Sequence, residues 1–156
     1  MPPEFPEQGT LLGVDFGTKR VGLAISTPDQ TIASPLEIYT RRNEHLDARY
    51  FRELLSNYRI KGLVIGLPIR AMSGDENPKS REARAYGAWL AELSGLPVLF
   101  WDERYTSAAA EDYLLHAELT SRQRKKRVDM VAAQILLQAY LHRNLGQDAQ
   151  AADEPF

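Results

Sequence analysis

The run from Gly62 to Pro68, GLVIGLP, is aliphatic throughout and closed by a breaker at each end. A strand with one wet face alternates apolar and polar residues, so an uninterrupted run of this length reads as a strand covered on both faces. Covering both faces of a sheet takes helices. From Asn43, a residue type that caps helices, to Tyr58, the apolar positions Leu46, Phe51, Leu54, Leu55 and Tyr58 recur at helical spacing, and Lys79 to Leu93 forms a second helix stopped by Gly95 and Pro97. The fold class is therefore α/β.

Other segments extend the sheet. Leu11 to Phe16 (LLGVDF) and Val21 to Ser26 (VGLAIS) flank Gly17-Thr18-Lys19-Arg20 and read as a hairpin. Ile32 to Tyr39 reads as a third strand, its Pro35 calling for an edge position or a bulge. Val98 to Trp101 makes a fifth. Thr106 or Ser107 caps a helix reaching about His116, a basic loop follows at Arg122 to Arg127 (RQRKKR), and Val128 to Leu145 forms a long final helix. The order is β-β-β-α-β-α-β-α-α, and right-handed crossovers then give a mixed five-stranded sheet of order 3-2-1-4-5 flanked by helices. In such sheets, sites gather at the carboxyl ends of the strands.

A length of 156 residues suits one domain. Residues 10–145 form it, after a flexible segment at 1–9 and before a disordered acidic tail at 146–156. With no cysteine, neither a disulfide framework nor a Cys-type metal site is available, so any metal rests on oxygen or imidazole ligands. MPPEFPEQGT has neither a basic flank nor an apolar run, which leaves no signal peptide or membrane anchor and predicts a cytoplasmic protein. The net charge of −2 hides an asymmetry: Glu4, Glu7, Asp148, Asp153 and Glu154 lie in termini without bases. Setting these five aside leaves 16 acids against 19 bases, a positive body that suits a polyanion and equally describes a solvated face.

Asp15 stands near the end of an apolar strand, where a buried carboxylate needs a partner. A divalent cation would serve, with Gly17, Thr18, Lys19 and Arg20 offering amides, a hydroxyl and two cations to phosphate oxygens. The alternative is an Asp that closes its own turn. Glu103 follows another apolar strand and is expected at the same sheet edge, with a surface ion pair to Arg104 or Arg127 as its bland reading. Asp102 competes for that place, and Glu103 is preferred for its reach. Asp129 lies at the start of the last helix, either placed there by the helix dipole or turned toward Asp15 as the helix docks on the sheet.

Three carboxylates without cysteine or neighbouring histidine suit Mg²⁺ or Mn²⁺, and two such ions roughly 3.5–4 Å apart support phosphodiester hydrolysis without a side-chain nucleophile. His45, His116 and His142 lack zinc-site spacing and are taken as surface residues. The GxxxxGK[ST], GxGxxG and GxSxG motifs are missing, against P-loop, Rossmann and α/β-hydrolase readings. The basic run beside Asp129 either holds a nucleic-acid backbone or is simply solvated.

Gly13-Val14-Asp15-Phe16-Gly17-Thr18-Lys19-Arg20-Val21-Gly22, Gly66-Leu67-Pro68, Asp102-Glu103-Arg104-Tyr105-Thr106-Ser107 and Lys126-Arg127-Val128-Asp129 with Ala132-Ala133 together resemble the YqgF family, also called RuvX-like. Its members are described as Holliday junction resolvases and as nucleases that process the 5′ end of bacterial pre-16S ribosomal RNA. The resemblance implies an RNase H-like fold and metal-dependent cleavage by Asp15, Glu103 and Asp129, which are both the catalytic and the metal-binding set. Arg104, Lys125 and Lys126 join Gly17, Thr18, Lys19 and Arg20 as substrate-binding residues. The loop Ile69-Arg70-Ala71-Met72-Ser73-Gly74 departs from the family's usual Asn-Met-Asp-Gly-like stretch.

The resulting expectation is a nuclease of structured RNA in ribosome biogenesis, acting on ribosomal precursor particles as a monomer or homodimer. The rivals are a Holliday junction resolvase on branched DNA and a non-catalytic nucleic-acid-binding module.

Overall fold

The computed structural model describes residues 4–68, 77–102 and 121–143, with 121–130 in backbone alone. Five strands form one sheet in the order β3-β2-β1-β4-β5: β1 (Leu11–Asp15), β2 (Arg20–Ser26), β3 (Ala33–Thr40), β4 (Gly62–Leu67) and β5 (Val98–Asp102). β1–β2 and β2–β3 are antiparallel, whereas β1–β4 and β4–β5 are parallel. This is the expected order, and the fold is RNase H-like. β4 is buried along its whole length, as its aliphatic run requires.

Both devices expected of Pro35 are present. β3 lies at the sheet edge, and its register with β2 shifts between Leu23 and Ala24, whose partners are Glu37 and Pro35, leaving Leu36 as the extra residue of a bulge.

Helix α1 (Glu44–Asn57) and α2 (Pro78–Ser94) cover one face. Asn43 caps α1, its Oδ1 accepting from the Leu46 amide at 2.9 Å. Asn77 and Ser80 form a capping box on α2, Pro78 follows the cap, and Gly95 ends the helix at φ 70°. Leu12, Val14, Val21, Leu23, Leu63 and Ile65 of the sheet meet Phe51, Leu54, Leu55, Tyr86 and Leu90 of these helices. Leu46 and Tyr58, expected on the apolar face of α1, are exposed instead and lie at its margins.

The long helix α3 (Ser121–Leu141) covers the other face, where Ala133, Leu137, Tyr140 and Leu141 meet Leu11, Ala24, Ala33 and Val64. Its start corrects the sequence reading, which made Arg122 to Arg127 a loop and began the helix at Val128. Arg, Lys and Gln are strong helix formers, and neither Gly nor Pro separates them from the amphipathic turns that follow. Two glutamines stitch α3 to β3: Gln138 Oε1 accepts from the Ala33 amide at 2.8 Å, and Gln134 Nε2 donates to the Ala33 carbonyl at 3.2 Å.

Phe5 and Pro6, within the segment expected to be flexible, pack on Gly62, and the Phe5 ring meets Tyr140 edge-on at 5.6 Å. The helix expected to begin near Thr106 and the tail from Gly146 lie outside the described residues. No helix among the described residues is long and apolar enough to cross a membrane.

Candidate active site

Alternation along β1 assigns its residues to opposite faces. Leu12 and Val14 enter the core under α1 and α2, while Leu11 packs in the core under α3 and Gly13 lies against Ala133 and Leu137. Asp15 shares the parity of Leu11 and Gly13, so it stands at the carboxyl end of the central strand on the α3 face. The strand positions beside it carry no side chain. Gly22 is its partner on β2, and one step beyond the Val14–Ile65 pair the position abreast on β4 is Gly66. An acid between two glycines at a sheet end has room beside it that any larger neighbour would fill.

That room is a cleft of about 330 Å³, lined by Asp15, Phe16, Gly17, Thr18, Lys19, Arg20, Gly22 and Ile38. It unites Asp15 with all four hairpin residues assigned to substrate binding. Thr18, Lys19 and Arg20 are exposed and Asp15 is half-buried. Gly17 is needed sterically, because a Cβ there would stand 2.2 Å from the Arg20 carbonyl oxygen.

The same alternation separates Asp102 from Asp15. Trp101 packs with the α3-face cluster and Phe100 with the opposite one, so position 102 has the parity of the α1/α2 face. Glu103 and Arg104 lie outside the described residues. Lys125, Lys126 and Asp129 belong to the backbone of α3, and their side chains are outside the description. Among the described residues no three acidic or imidazole groups gather to hold an ion. His45 and His142 are exposed, as expected, and His116 lies outside the described residues.

One residue escaped the sequence reading. Arg41, at the end of β3, clasps the hairpin: its Nη1 donates to the Thr18 carbonyl at 3.1 Å and to that of Gly17 at 3.4 Å, and its amide donates to the Lys19 carbonyl at 2.8 Å. Its guanidinium lies over the Phe16 and Tyr86 rings, 5.3 and 5.0 Å from their centroids. Burial raises the Tyr86 hydroxyl far above the usual phenol range, with the Arg41 charge opposing that shift. Nothing in local spacing signals this role, since Arg41 sits more than twenty positions from the turn it holds.

The family described as "RuvX: Holliday junction resolvase" matches residues 9–143. The chain belongs to the RuvX family. Curated relatives named "Putative pre-16S rRNA nuclease" include one from Rhodopirellula baltica, 45% identical over 137 residues, spanning 88% of this chain and 79% of the relative. Another, from Moorella thermoacetica, is 43% identical over 138 residues, spanning 88% and 97%. The RuvX chain is thereby placed among nucleases that hydrolyse phosphodiester bonds. Among solved structures, Thermus thermophilus RuvC in complex with a Holliday junction substrate aligns at TM-score 0.56 and 17% identity, over 88% of this chain and 96% of that one. The fowlpox virus Holliday junction resolvase aligns at TM-score 0.50 and 17% identity, over 86% and 99%. These two likenesses speak to the fold of the RuvX chain.

Proposed function

We propose that this RuvX-family chain is a metal-dependent cytoplasmic nuclease that cleaves structured RNA at the 5′ end of pre-16S ribosomal RNA, with Asp15, Glu103 and Asp129 as its acidic set. The observation that carries the reading is the place of Asp15: the carboxyl end of the central strand, on the α3 face, in a cleft shared with the Gly17–Arg20 turn.

Register supports the other two acids. Leu11 clusters with Tyr140 and Leu141, and Gly13 lies against Leu137 and Ala133, so α3 runs against the direction of β1. Two further strand residues advance about 6.6 Å and four helical residues about 6 Å, which brings position 129 abreast of Asp15, on the helical row of Ala133 and Leu137. On β5, Trp101 packs on the Asp15 face and Asp102 has the opposite parity, which supports Glu103 rather than Asp102 as the remaining acid. β5 lies two strands from β1, about 10 Å away, a span that a glutamate narrows more than an aspartate.

An all-carboxylate donor set fits hard divalent ions, Mg²⁺ or Mn²⁺, and the proposal is for two. When bound, they supply an activated water and neutralise charge developing on the phosphate. The protein's part is to hold the carboxylates convergent, and to fix the scissile phosphate with the turn amides, the Thr18 hydroxyl and the cations of Lys19 and Arg20. Arg104, Lys125 and Lys126 extend that grip along the nucleic-acid backbone. Water then adds to phosphorus, the bond to one ester oxygen breaks, and a phosphate monoester and a hydroxyl are left.

The test is incubation of the purified protein with Mg²⁺, Mn²⁺ or chelator on labelled ribosomal precursor RNA and on a synthetic four-way junction. Metal-dependent cutting of the precursor is expected, with Asp15→Asn binding but not cutting. The family description favours a second reading, a junction resolvase acting as a dimer, and symmetric cutting of the four-way junction alone would select it. Unchanged function in Asp15→Asn would instead select a non-catalytic binding module.

A further inference from the structure

A second cleft, of about 510 Å³, opens on the opposite side of the hairpin, between the turn and helices α1 and α2. Phe16 and Thr18 line this cleft and the Asp15 cleft alike, so the turn is a wall between them. The second cleft is aromatic. Phe16 lies 5.0 Å from Tyr86, and Tyr86 5.4 Å from Trp89, centroid to centroid, with Phe16 and Trp89 half-buried. Arg42 is exposed at its edge, and its guanidinium has no ion-pair partner among the described residues. The Tyr86 hydroxyl is buried and has no hydrogen-bond partner among the described residues. Such an orphan is destabilising unless something else satisfies it.

We propose that this cleft holds an unpaired nucleotide of the substrate strand, one that crosses the hairpin from the scissile phosphate. Stacked or tilted rings with a cation beside them are how proteins take single-stranded nucleic acid without reading its sequence. The charge pattern narrows the occupant. Glu44 and Glu82 also line the cleft, which disfavours a polyphosphate or a duplex backbone, whereas exocyclic amino groups and sugar hydroxyls donate to carboxylates. Arg42 is left for the flanking phosphate. Asp47 lines the cleft as well, with its Oδ1 already accepting from the Tyr39 hydroxyl at 2.6 Å and the Arg42 amide at 3.0 Å. The placement implies that the nuclease prefers ends with a single-stranded overhang to fully paired ones.

The inference takes its substrate from the nuclease reading, but its test does not depend on cleavage. Asp15→Asn protein is titrated, without divalent metal, with a short unstructured oligoribonucleotide while tryptophan fluorescence is followed. Quenching is expected, and Trp89→Phe should remove it while Trp101 remains as the internal reference. Arg42→Ala, an exposed change that leaves the core intact, should weaken binding about tenfold, the scale of one stacked or charge-assisted contact. In a cutting assay it should shrink the preference for overhanging over blunt substrates. Quenching that persists in Trp89→Phe, or unaltered affinity in Arg42→Ala, would overturn the proposal. Binding through Trp89 together with no cleavage by the wild-type protein in Mg²⁺ or Mn²⁺ would sink the nuclease reading and leave this site standing, and wild-type cleavage without such binding would do the reverse.

Discussion

Gly13 of β1 and Leu137 of α3 are so close that a Cβ on the glycine would stand 2.9 Å from the leucine Cβ and 3.2 Å from the Ala133 carbonyl oxygen. Neither neighbour is the tip of a flexible chain. Gly13→Ala therefore has to push the helix off the sheet, and should cost about 1–3 kcal/mol, the usual scale of overpacking. Because α3 also carries Asp129, cleavage should fall further than the stability loss explains. Chemical denaturation and turnover measured on the same preparation would reveal this, and full activity in a destabilised variant would refute the proposed register.

Strand parity makes a sharper claim about two adjacent acids. Glu103→Gln should reduce cleavage a hundredfold or more, the effect of losing several kcal/mol of transition-state stabilisation, whereas Asp102→Asn should leave the rate near wild type. Single-turnover rates at saturating Mg²⁺ compare them directly, and the opposite ranking would exchange their roles.

Gly17→Ala places a methyl against the Arg20 carbonyl, so the turn must open. We expect a rise in KM for nucleic acid together with a stability loss of about 1 kcal/mol or more. Arg41→Ala should move KM in the same direction through loss of the clasp on Gly17 and Thr18, although Arg41 is not assigned to the substrate. If KM stays constant in both variants, the hairpin does not grip phosphate.

Burial, reinforced by its hydrogen bond to the Asp47 carboxylate, pushes the Tyr39 hydroxyl up to about 12. The fold favours the protonated phenol, so this stabilisation is complete below the ordinary value of 10.0 and disappears as pH rises from there through about 12. Tyr39→Phe should flatten the alkaline loss of stability in that window. At neutral pH it should cost about 1–2 kcal/mol, because Asp47 keeps only the Arg42 amide. Unfolding midpoints measured across the alkaline range test both halves of this prediction.

The elements legible in the sequence were those whose residues answer to one local rule. β4 announced itself by an unbroken aliphatic run, α1 by its capping Asn43, α2 by its Gly95 and Pro97 stop, and β3 by a proline that only an edge or a bulge tolerates. The start of α3 was hidden, because a basic run has no apolar period to betray a helix although its residues favour one. Within the candidate site, Asp15 stood out as a carboxylate closing an apolar strand. The choice between Asp102 and Glu103 depends on which face Trp101 takes, and that follows from where the strand meets its neighbours. Arg41 reaches the turn only through tertiary packing, so no window of neighbouring residues contains both.

The two glutamines that bind α3 to Ala33 make the sheet's outermost strand a distant anchor for Asp129. Changes at that border, remote from the proposed chemistry, would slide the whole rod along its axis and detune the end proposed to be reactive, like a lever shifted at its far fulcrum. A mutational tolerance map should therefore find intolerance around Ala33, Gln134 and Gln138 that tracks catalytic output more closely than melting temperature.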